Sequence, residues 1–260
     1  MKTKLYPALR ALRKTLALLG NKVTESYNSM SLTKRVIEGD LLNWRNHQEN
    51  QTVLAEYWQL LQPEDLSDSL VPSVLDFGGG GGRLGFQYVR EGKAKWTVLE
   101  TSEMTAAAND RLGEVPINFV DNIDVLIKEQ KFFDALFCRS AFQYTQDPAA
   151  MLRSALSLTK GLLVLEQMVL TKGESTTRFI QTSFLGDNLA DGVRQLKDYC
   201  YVTEYPLVAI SIEEFLTILQ ENFHLVRIEE RPPASHLPRR LNLSEYDVVA
   251  LRRNYDSGRS

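Results

Sequence analysis

The sequence predicts an α/β fold built on a mostly parallel sheet with helices on both faces. From residue 72 onward, short apolar runs alternate with segments of helical periodicity at the spacing of strand–helix–strand units. Five consecutive glycines, residues 78–82, separate the first apolar run from a helical segment. The last two apolar runs, 223–229 and 245–251, have no helical segment between them. We therefore expect an antiparallel pair of strands at the end of the sheet.

The elements are predicted in chain order from these periodicities. Two helices, at 31–48 and 50–62, belong to an N-terminal helical cap over 1–70, and the sheet domain occupies 71–260. A polar stretch at 62–69 reads as the linker between them. The first five strands are expected at 73–77, 96–100, 117–120, 133–138 and 161–167, and the helices of this domain at 82–91, 103–112, 122–130, 147–157 and 211–221.

Residues 168–210 interrupt the alternation and are predicted to be an insertion. The stretch is polar and carries several glycines. Because it follows the fifth strand, it should cover the carboxyl ends of the strands, where such sheets bind ligands. Long loops in this place are usually lids or substrate-binding segments. A structural elaboration or a dimer contact is the alternative. The insertion includes a tyrosine cluster of Tyr199, Tyr201 and Tyr205.

Composition excludes several classes of function. The formal net charge of −3 argues against bulk electrostatic binding of nucleic acid. The two cysteines, Cys138 and Cys200, form no disulfide framework or zinc spacing, and Cys138 lies in an apolar run as expected of a buried thiol. No apolar stretch reaches the roughly 18 residues of a membrane span. We expect a cytoplasmic protein without a catalytic metal.

The first 22 residues contain six basic residues and no acidic ones. Leucines recur along them at helical spacing, which predicts one apolar stripe. One interpretation is a cap helix packed on the domain. The other is docking of residues 1–22 to an anionic membrane or a protein partner. The stripe consists of Leu5, Leu9, Leu12, Leu16 and Leu19.

The glycine run is preceded by an aspartate at the end of the first strand, which decides between two ligand classes. Gly80, Gly82 and Gly85 fit the dinucleotide fingerprint, which places a pyrophosphate on a helix N-terminus. Asp76 stands two residues before Gly78, and its carboxylate would repel a pyrophosphate but attract a cationic ligand. The pattern favours a cation.

Acidic and amide residues follow the next two strands. Glu100 ends the second strand about twenty positions after the glycines, where a carboxylate can accept hydrogen bonds from both hydroxyls of a ribose. Asp121 and Asn122 follow the third strand. Asp121 also has the right place to cap the helix that begins there.

The Asp76-x-Gly78-x-Gly80 pattern with Glu100 resembles the first motifs of class I methyltransferases, whose cofactor is S-adenosylmethionine, a cation without phosphate. The resemblance implies a Rossmann-like class I methyltransferase sheet with an antiparallel C-terminal strand. Gly79 and Gly81 are then expected to add only flexibility. The residues expected to contact the cofactor are Asp76, Gly78, Gly80, Glu100, Asp121, Asn122, Ser140 and Ala141.

A set of shorter motifs is similar to an uncharacterised family of class I methyltransferases associated with bacterial surface-polysaccharide clusters. That resemblance implies O-methylation of a saccharide or a small polar metabolite. This chain departs from the family pattern at Gly81 and after the fifth strand, where a basic residue is usual. The motifs are Trp96 to Glu100, Phe142-Gln143-Tyr144, Gln181-Thr182 and Tyr205-Pro206.

An acceptor hydroxyl needs a group that takes its proton. Gln143 and Tyr144 follow the fourth strand and are expected to face the acceptor, and Glu166 is the nearest carboxylate at the end of the fifth strand. Tyr144 could instead pack on the following helix. Glu166 could instead pair with Arg139 or Arg178.

Two other functions stay open from the sequence. A non-catalytic protein of the same fold could keep the cofactor as a structural ligand and dock a partner through residues 1–22. An NAD-dependent oxidoreductase could use the dinucleotide fingerprint. The expected partners are otherwise a small-molecule or saccharide acceptor and a second copy in a homodimer.

Overall fold

A seven-stranded sheet forms the centre of the molecule, in a computed structural model of the chain. The structure describes residues 10–11, 13–15, 23–25, 30–46, 53–61, 71–187, 189, 194–232 and 237–253. The strands are β1 Val23–Glu25, β2 Ser73–Phe77, β3 Lys95–Leu99, β4 Ile117–Val120, β5 Phe133–Arg139, β6 Thr159–Thr171, β7 Thr177–Phe184, β8 Tyr201–Ala209, β9 Phe223–Glu230 and β10 Leu243–Arg252.

The order of the large sheet is β4-β3-β2-β5-β6-β10-β9. The strands from β4 to β6 pair in parallel. The last strand, β10, lies between β6 and β9 and is antiparallel to both. The predicted parallel sheet and its antiparallel C-terminal pair are therefore confirmed.

Helices cover both faces of this sheet, as the sequence predicts. They are α1 Met30–Arg45, α2 Val53–Tyr57, α3 Phe86–Arg90, α4 Ser102–Arg111, α5 Ile123–Lys128, α6 Pro148–Ser157 and α7 Ile212–Gln220. Alternate residues of each strand point to opposite faces. Leu75 and Leu136 pack with α5, α6 and α7, whereas Val74 and Phe137 pack with helices α1 to α4.

The N-terminal helices share their core with the sheet. Ile37 of α1 and Leu54 of α2 are fully buried in the same cluster as Val74 and Phe137. The ring of Trp58 lies 4.1 Å from that of Tyr88. Among the described residues no helix is long and apolar enough to cross a membrane. The predicted linker 62–69 and the leucines of the N-terminal stripe lie outside the described residues.

The insertion is a small sheet rather than a long polar loop, which corrects the sequence expectation. Strand β6 runs on to Thr171, and β7 pairs antiparallel with β8, which pairs in parallel with β1. Exposed and less exposed residues alternate along β7. Such a strand carries polar residues at every second position, so its average composition is that of a loop.

Helix α1 ties the insertion to the rest of the molecule. The two terminal guanidinium nitrogens of Arg35 donate to the carboxylate of Asp198, each at 2.6 Å. Asp198 is fully buried. Burial raises the pKa of Asp198, but hydrogen bonds from Arg35 and the Gln195 amide outweigh it and leave the pKa lowered. One face of α1 is thereby fixed to the insertion by a charge-assisted pair.

Candidate functional site

The glycine turn at the carboxyl end of β2 contains residues in the left-handed backbone conformation. Gly78 and Gly80 have φ angles of 70° and 59°, which side chains rarely adopt. The Gly78 amide donates to the Leu99 carbonyl at 2.8 Å, which fixes the turn against β3. The helix that follows begins with a 3-10 turn, Arg83–Gly85, so the predicted helix start at 82 is replaced by this tighter turn.

Gly79 and Gly81 are needed for space, which corrects the expectation that they add only flexibility. A Cβ atom on Gly79 would lie 2.3 Å from a carboxylate oxygen of Asp76. A Cβ atom on Gly81 would lie 2.6 Å from Oδ2 of Asp40. The turn is therefore packed between two carboxyl groups, and neither glycine can carry a side chain without displacing one of them.

Asp76 is a fully buried carboxyl group under this turn. Its Oδ2 accepts a hydrogen bond from Trp96 Nε1 at 3.0 Å, and its Oδ1 has no partner among the described residues. Burial raises the pKa of Asp76 to about 7, against the hydrogen bond from Trp96 and the charge of Arg139. An unpartnered buried oxygen costs free energy that a ligand donor or a cation can recover.

Glu100 holds the other side of the turn. Its Oε1 accepts from the Gly80 amide at 3.0 Å, and its Oε2 accepts from the Thr101 amide at 2.9 Å. Burial raises its pKa, while these two amides lower it. Glu100 thus contacts the glycine turn directly at Gly80. Its predicted contact with a ribose stays a prediction.

Asp40 is a third carboxyl group on the turn, and the sequence reasoning missed it. It lies on α1, is buried, and accepts from the Gly81 amide at 2.8 Å. Burial raises its pKa to about 6, and Arg83 and the Gly81 amide oppose that rise. It is 41 positions from Gly81 in the sequence. No local motif marks a contact over that separation.

These three carboxyl groups suit a cation. Glu100 raises the pKa of both Asp40 and Asp76, so the groups repel each other when charged. A cationic ligand would relieve that repulsion, whereas a pyrophosphate would add to it. No group of three or more His, Cys, Asp or Glu with metal-binding geometry occurs in the described part of the chain.

After β4 the helix cap is Asn122 rather than Asp121. The side chain of Asn122 accepts from the Asp124 amide at 2.8 Å and caps α5. The expectation that Asp121 is the cap is therefore wrong, since the helix begins one residue later than predicted. Asp121 is exposed at the carboxyl end of β4. Its predicted contact with the cofactor stays a prediction.

The turn after β5 brings Ser140 and Ala141 to the glycine turn. Ser140 has a φ of 56°, and its amide donates to the Glu166 carbonyl at 2.8 Å. The Ala141 Cβ atom would lie only 2.2 Å from a Cβ atom on Gly78. The two turns are in contact here, as the predicted cofactor site requires.

Gln143 does not face an acceptor in this structure, which corrects the sequence expectation. It is fully buried, and its Nε2 donates to Ser140 Oγ at 2.9 Å and to the Gln167 carbonyl at 3.2 Å. Gln167 also has a left-handed φ of 57°. Gln143 therefore fixes two unusual turns to each other. Its Oε1 is buried without a partner among the described residues.

Glu166 forms the ion pair with Arg139 that the sequence left as an alternative. The two residues are register partners on β6 and β5, and Arg139 Nε donates to Glu166 Oε2 at 2.6 Å. The Val53 amide donates to Oε1 at 2.5 Å. Arg178, the other partner considered, donates to the Gln146 carbonyl. Both carboxylate oxygens of Glu166 are thus engaged, which favours a positioning role over that of a base.

Tyr144 lies where the turn after β5 meets the insertion. Its hydroxyl donates to Gln181 Oε1 at 3.4 Å, and its ring packs edge to face on Tyr205 at 5.1 Å. Both tyrosines are half-buried. Tyr144 thus packs on the insertion, whereas the sequence offered the following helix as its packing alternative.

Two surface depressions lie away from these groups. One, of about 590 Å³, is lined by residues at the amino ends of strands, such as Lys95, Ile117 and Phe133. The other, of about 340 Å³, lies beside the start of α7. Ligands of open α/β sheets bind at the carboxyl ends of strands. The glycine turn, rather than either depression, has the expected position.

Comparisons with known proteins agree with this geometry. Residues 75–162 match the family profile described as "Methyltransferase domain". The N-terminal domain of EvdMO1, solved in the presence of SAH and D-fucose, is 13% identical with a TM-score of 0.52, over 76% of this chain and 81% of that chain. The same domain with SAH bound is 13% identical with a TM-score of 0.51, over 80% and 84%. No curated protein sequence matches the chain.

The matched segment contains the glycine turn, Asp76 and Glu100. It indicates S-adenosylmethionine as the cofactor rather than NAD. The donor set fits, because carboxylates and an unpartnered buried oxygen can receive the cationic groups of that ligand. Asp40 lies outside the matched segment.

The raised pKa of Asp76 predicts a pH-dependent stability. The contribution of Asp76 to the free energy of unfolding is fully present below about pH 4 and is lost as the pH rises to about 7. The reason is that the folded state holds a proton over this range that the unfolded state releases. Asp76→Asn keeps an acceptor for Trp96 without the charge. We expect it to raise the free energy of unfolding by up to about 4 kcal/mol near pH 7.5 and by little near pH 4.

Urea unfolding of both proteins across this pH range measures the difference. The matched control is Asp110→Asn, whose side chain is 78% exposed. An Asp76→Asn variant that follows the wild-type pH profile throughout would contradict the burial argument.

Removal of the carboxylates on the turn should weaken cofactor binding. We expect Asp76→Ala and Glu100→Ala each to raise the dissociation constant for S-adenosylmethionine at least tenfold, or about 1.4 kcal/mol. Isothermal titration measures it. Glu103→Ala, on the exposed first turn of α4, is the control and should bind like the wild type. Unchanged affinity in both site variants would place the cofactor elsewhere.

Proposed function

Because the chain is an S-adenosylmethionine-dependent methyltransferase, we propose that it methylates a hydroxyl oxygen of a saccharide or a similar small polar metabolite. The observation that carries the proposal is the group of Tyr144, Gln181 and Tyr205 at the boundary between the sheet and the insertion. Aromatic faces with hydroxyl and amide groups at their edges offer both apolar contact and hydrogen bonds. Saccharides present both kinds of surface.

The position of this group relative to the glycine turn supports the proposal. Ala141 touches Gly78, and Tyr144 follows it by three residues. The ring of Phe142, in the turn after β5, stacks on that of Phe77 of β2 at 4.1 Å and so packs this turn on the sheet. An acceptor bound against Tyr144 would therefore lie beside the cofactor turn.

Methyl transfer requires alignment of the acceptor oxygen, the methyl group and the sulfur, and it needs no covalent intermediate with the protein. S-adenosylmethionine supplies an electrophilic methyl group on a positively charged sulfur. The chain must hold the acceptor oxygen in line and keep water out. In the proposal the Tyr144 hydroxyl orients the acceptor hydroxyl by a hydrogen bond, with Tyr205 beside it. The acceptor proton leaves to solvent water as the bond from the acceptor oxygen to the methyl carbon forms and the bond from carbon to sulfur breaks. Glu166 acts through Arg139, as a positioning residue.

One structural neighbour was solved with a saccharide present. The EvdMO1 domain was solved in the presence of D-fucose. At 13% identity this likeness concerns the fold. It supports the choice of acceptor class in combination with the aromatic group on the insertion.

Docking of a partner through residues 1–22 is less well supported than packing of this segment on the rest of the chain. Arg10 and Lys14 both donate to Asp187 of the insertion, at 2.5 and 2.6 Å. The Arg10 guanidinium also lies over the ring of Tyr199, 4.8 Å from its centroid. These basic side chains therefore contact the same molecule. The homodimer stays a prediction from the sequence.

Acceptor panels test the proposed reaction. The full chain is incubated with labelled S-adenosylmethionine and a set of monosaccharides, glycosides and amines, and transferred methyl groups are located by mass spectrometry. The proposal expects transfer to a saccharide hydroxyl. Transfer confined to amine nitrogen would overturn it.

The hydroxyls of Tyr144 and Tyr205 should matter for the acceptor and not for the cofactor. We expect Tyr144→Phe and Tyr205→Phe each to lower kcat/KM for the acceptor at least tenfold, with the dissociation constant for S-adenosylmethionine unchanged. Tyr201→Phe, on the same strand as Tyr205, is the control. Wild-type kcat/KM in both variants would remove this group from the acceptor site.

A further inference from the structure

Three separate elements bring carboxyl groups to the glycine turn. Asp40 of α1 accepts from the Gly81 amide at 2.8 Å, and Glu100, after β3, accepts from the Gly80 amide at 3.0 Å. The Asp76 carboxyl group lies beneath Gly79. A Cβ atom added to Gly79 would lie 2.7 Å from Oδ1 of Asp76. That oxygen is buried and has no partner among the described residues.

Three carboxyl groups meet at this turn. Among the described residues, Arg83 opposes the rise in the pKa of Asp40, and Arg139 opposes the rise in the pKa of Asp76. Arg139 is already engaged by Glu166. Glu100 and Asp40 both act against ionisation of Asp76. An added positive charge at this turn would be shared by all three carboxyl groups.

Methyl transfer changes the charge of the ligand that such a cluster holds. S-adenosylmethionine carries an ammonium, a sulfonium and a carboxylate group, and so has a net charge of +1. S-adenosylhomocysteine, the product, has a neutral thioether and no net charge. The two ligands are otherwise almost the same in shape, so a charge cluster can distinguish them where shape cannot.

We propose that Asp40, Asp76 and Glu100 together select the methyl donor over the demethylated product by charge, and that Asp40 adds this selection from the N-terminal helix. The inference rests on S-adenosylmethionine being the methyl donor. Its consequence is that the product, which makes nearly the same contacts, is held less tightly than the donor and so leaves more readily.

Asp40→Asn removes the charge of Asp40 while keeping its contact with the Gly81 amide. An asparagine keeps an oxygen that can accept from the Gly81 amide, and it has nearly the same volume. A unit charge several ångströms away changes affinity by roughly tenfold at the effective dielectric of a protein. Because part of this is screened, we expect the ratio of the dissociation constant for product to that for donor to fall at least threefold.

Isothermal titration of the full chain with each ligand measures the ratio. Glu38→Gln is the matched control, because Glu38 is exposed on the same helix and pairs with Arg111 at 2.9 Å. Its ratio should equal that of the wild type. An Asp40→Asn variant that binds both ligands equally more weakly, or equally well, would overturn the selection by charge.

The wild type supplies a second measurement that does not depend on the folding of a variant. The ratio should fall as the pH is lowered from about 8 to about 5, because the carboxyl groups of the cluster take up protons. A ratio that is constant over this range overturns the inference, even while both ligands bind. If the wild type bound neither ligand, the assignment of the methyl donor itself would fail.

Discussion

The buried carboxyl group of Asp76 is the constraint from which the geometry of the site follows. It occupies the space beneath Gly79, so that residue cannot carry a side chain, and it takes the indole hydrogen bond of Trp96. A charge in this place is stable only when a cation or a proton accompanies it. We propose that the glycine turn, with Gly78 and Gly80 in the left-handed region and the carboxylates beside it, brings a cationic ligand to that position.

The N-terminal helix and the insertion are built around the same turn. Helix α1 contributes Asp40 to the turn and Arg35 to the insertion, and so it connects the glycine turn to the insertion. The insertion contacts the turn after β5 through Tyr205, whose ring packs on that of Tyr144. An N-terminal helix and an insertion thus both contact turns at the carboxyl ends of the central strands.

Much of the fold could be predicted, and so could the position of the glycine turn, because their signals are local in sequence. The strand ends, Asp76 and Glu100 lie where short motifs place them. Asp40 could not be found, because its contact with Gly81 spans 41 positions and depends on how a helix packs. Gln143 was assigned to the wrong environment, since sequence does not show whether a polar side chain after a strand turns inward. The alternating polarity of β7 concealed a second sheet in an apparent loop.

Hydrogen–deuterium exchange with and without S-adenosylhomocysteine tests the central claim most directly. If the turn between three carboxyl groups is the cofactor seat, the ligand should protect the amides of 78–82 and of 99–101, together with the turn of α1 that carries Asp40. Protection concentrated instead at the amino ends of the strands, around Lys95 and Phe133, would contradict the account and place the cofactor on the opposite edge of the sheet.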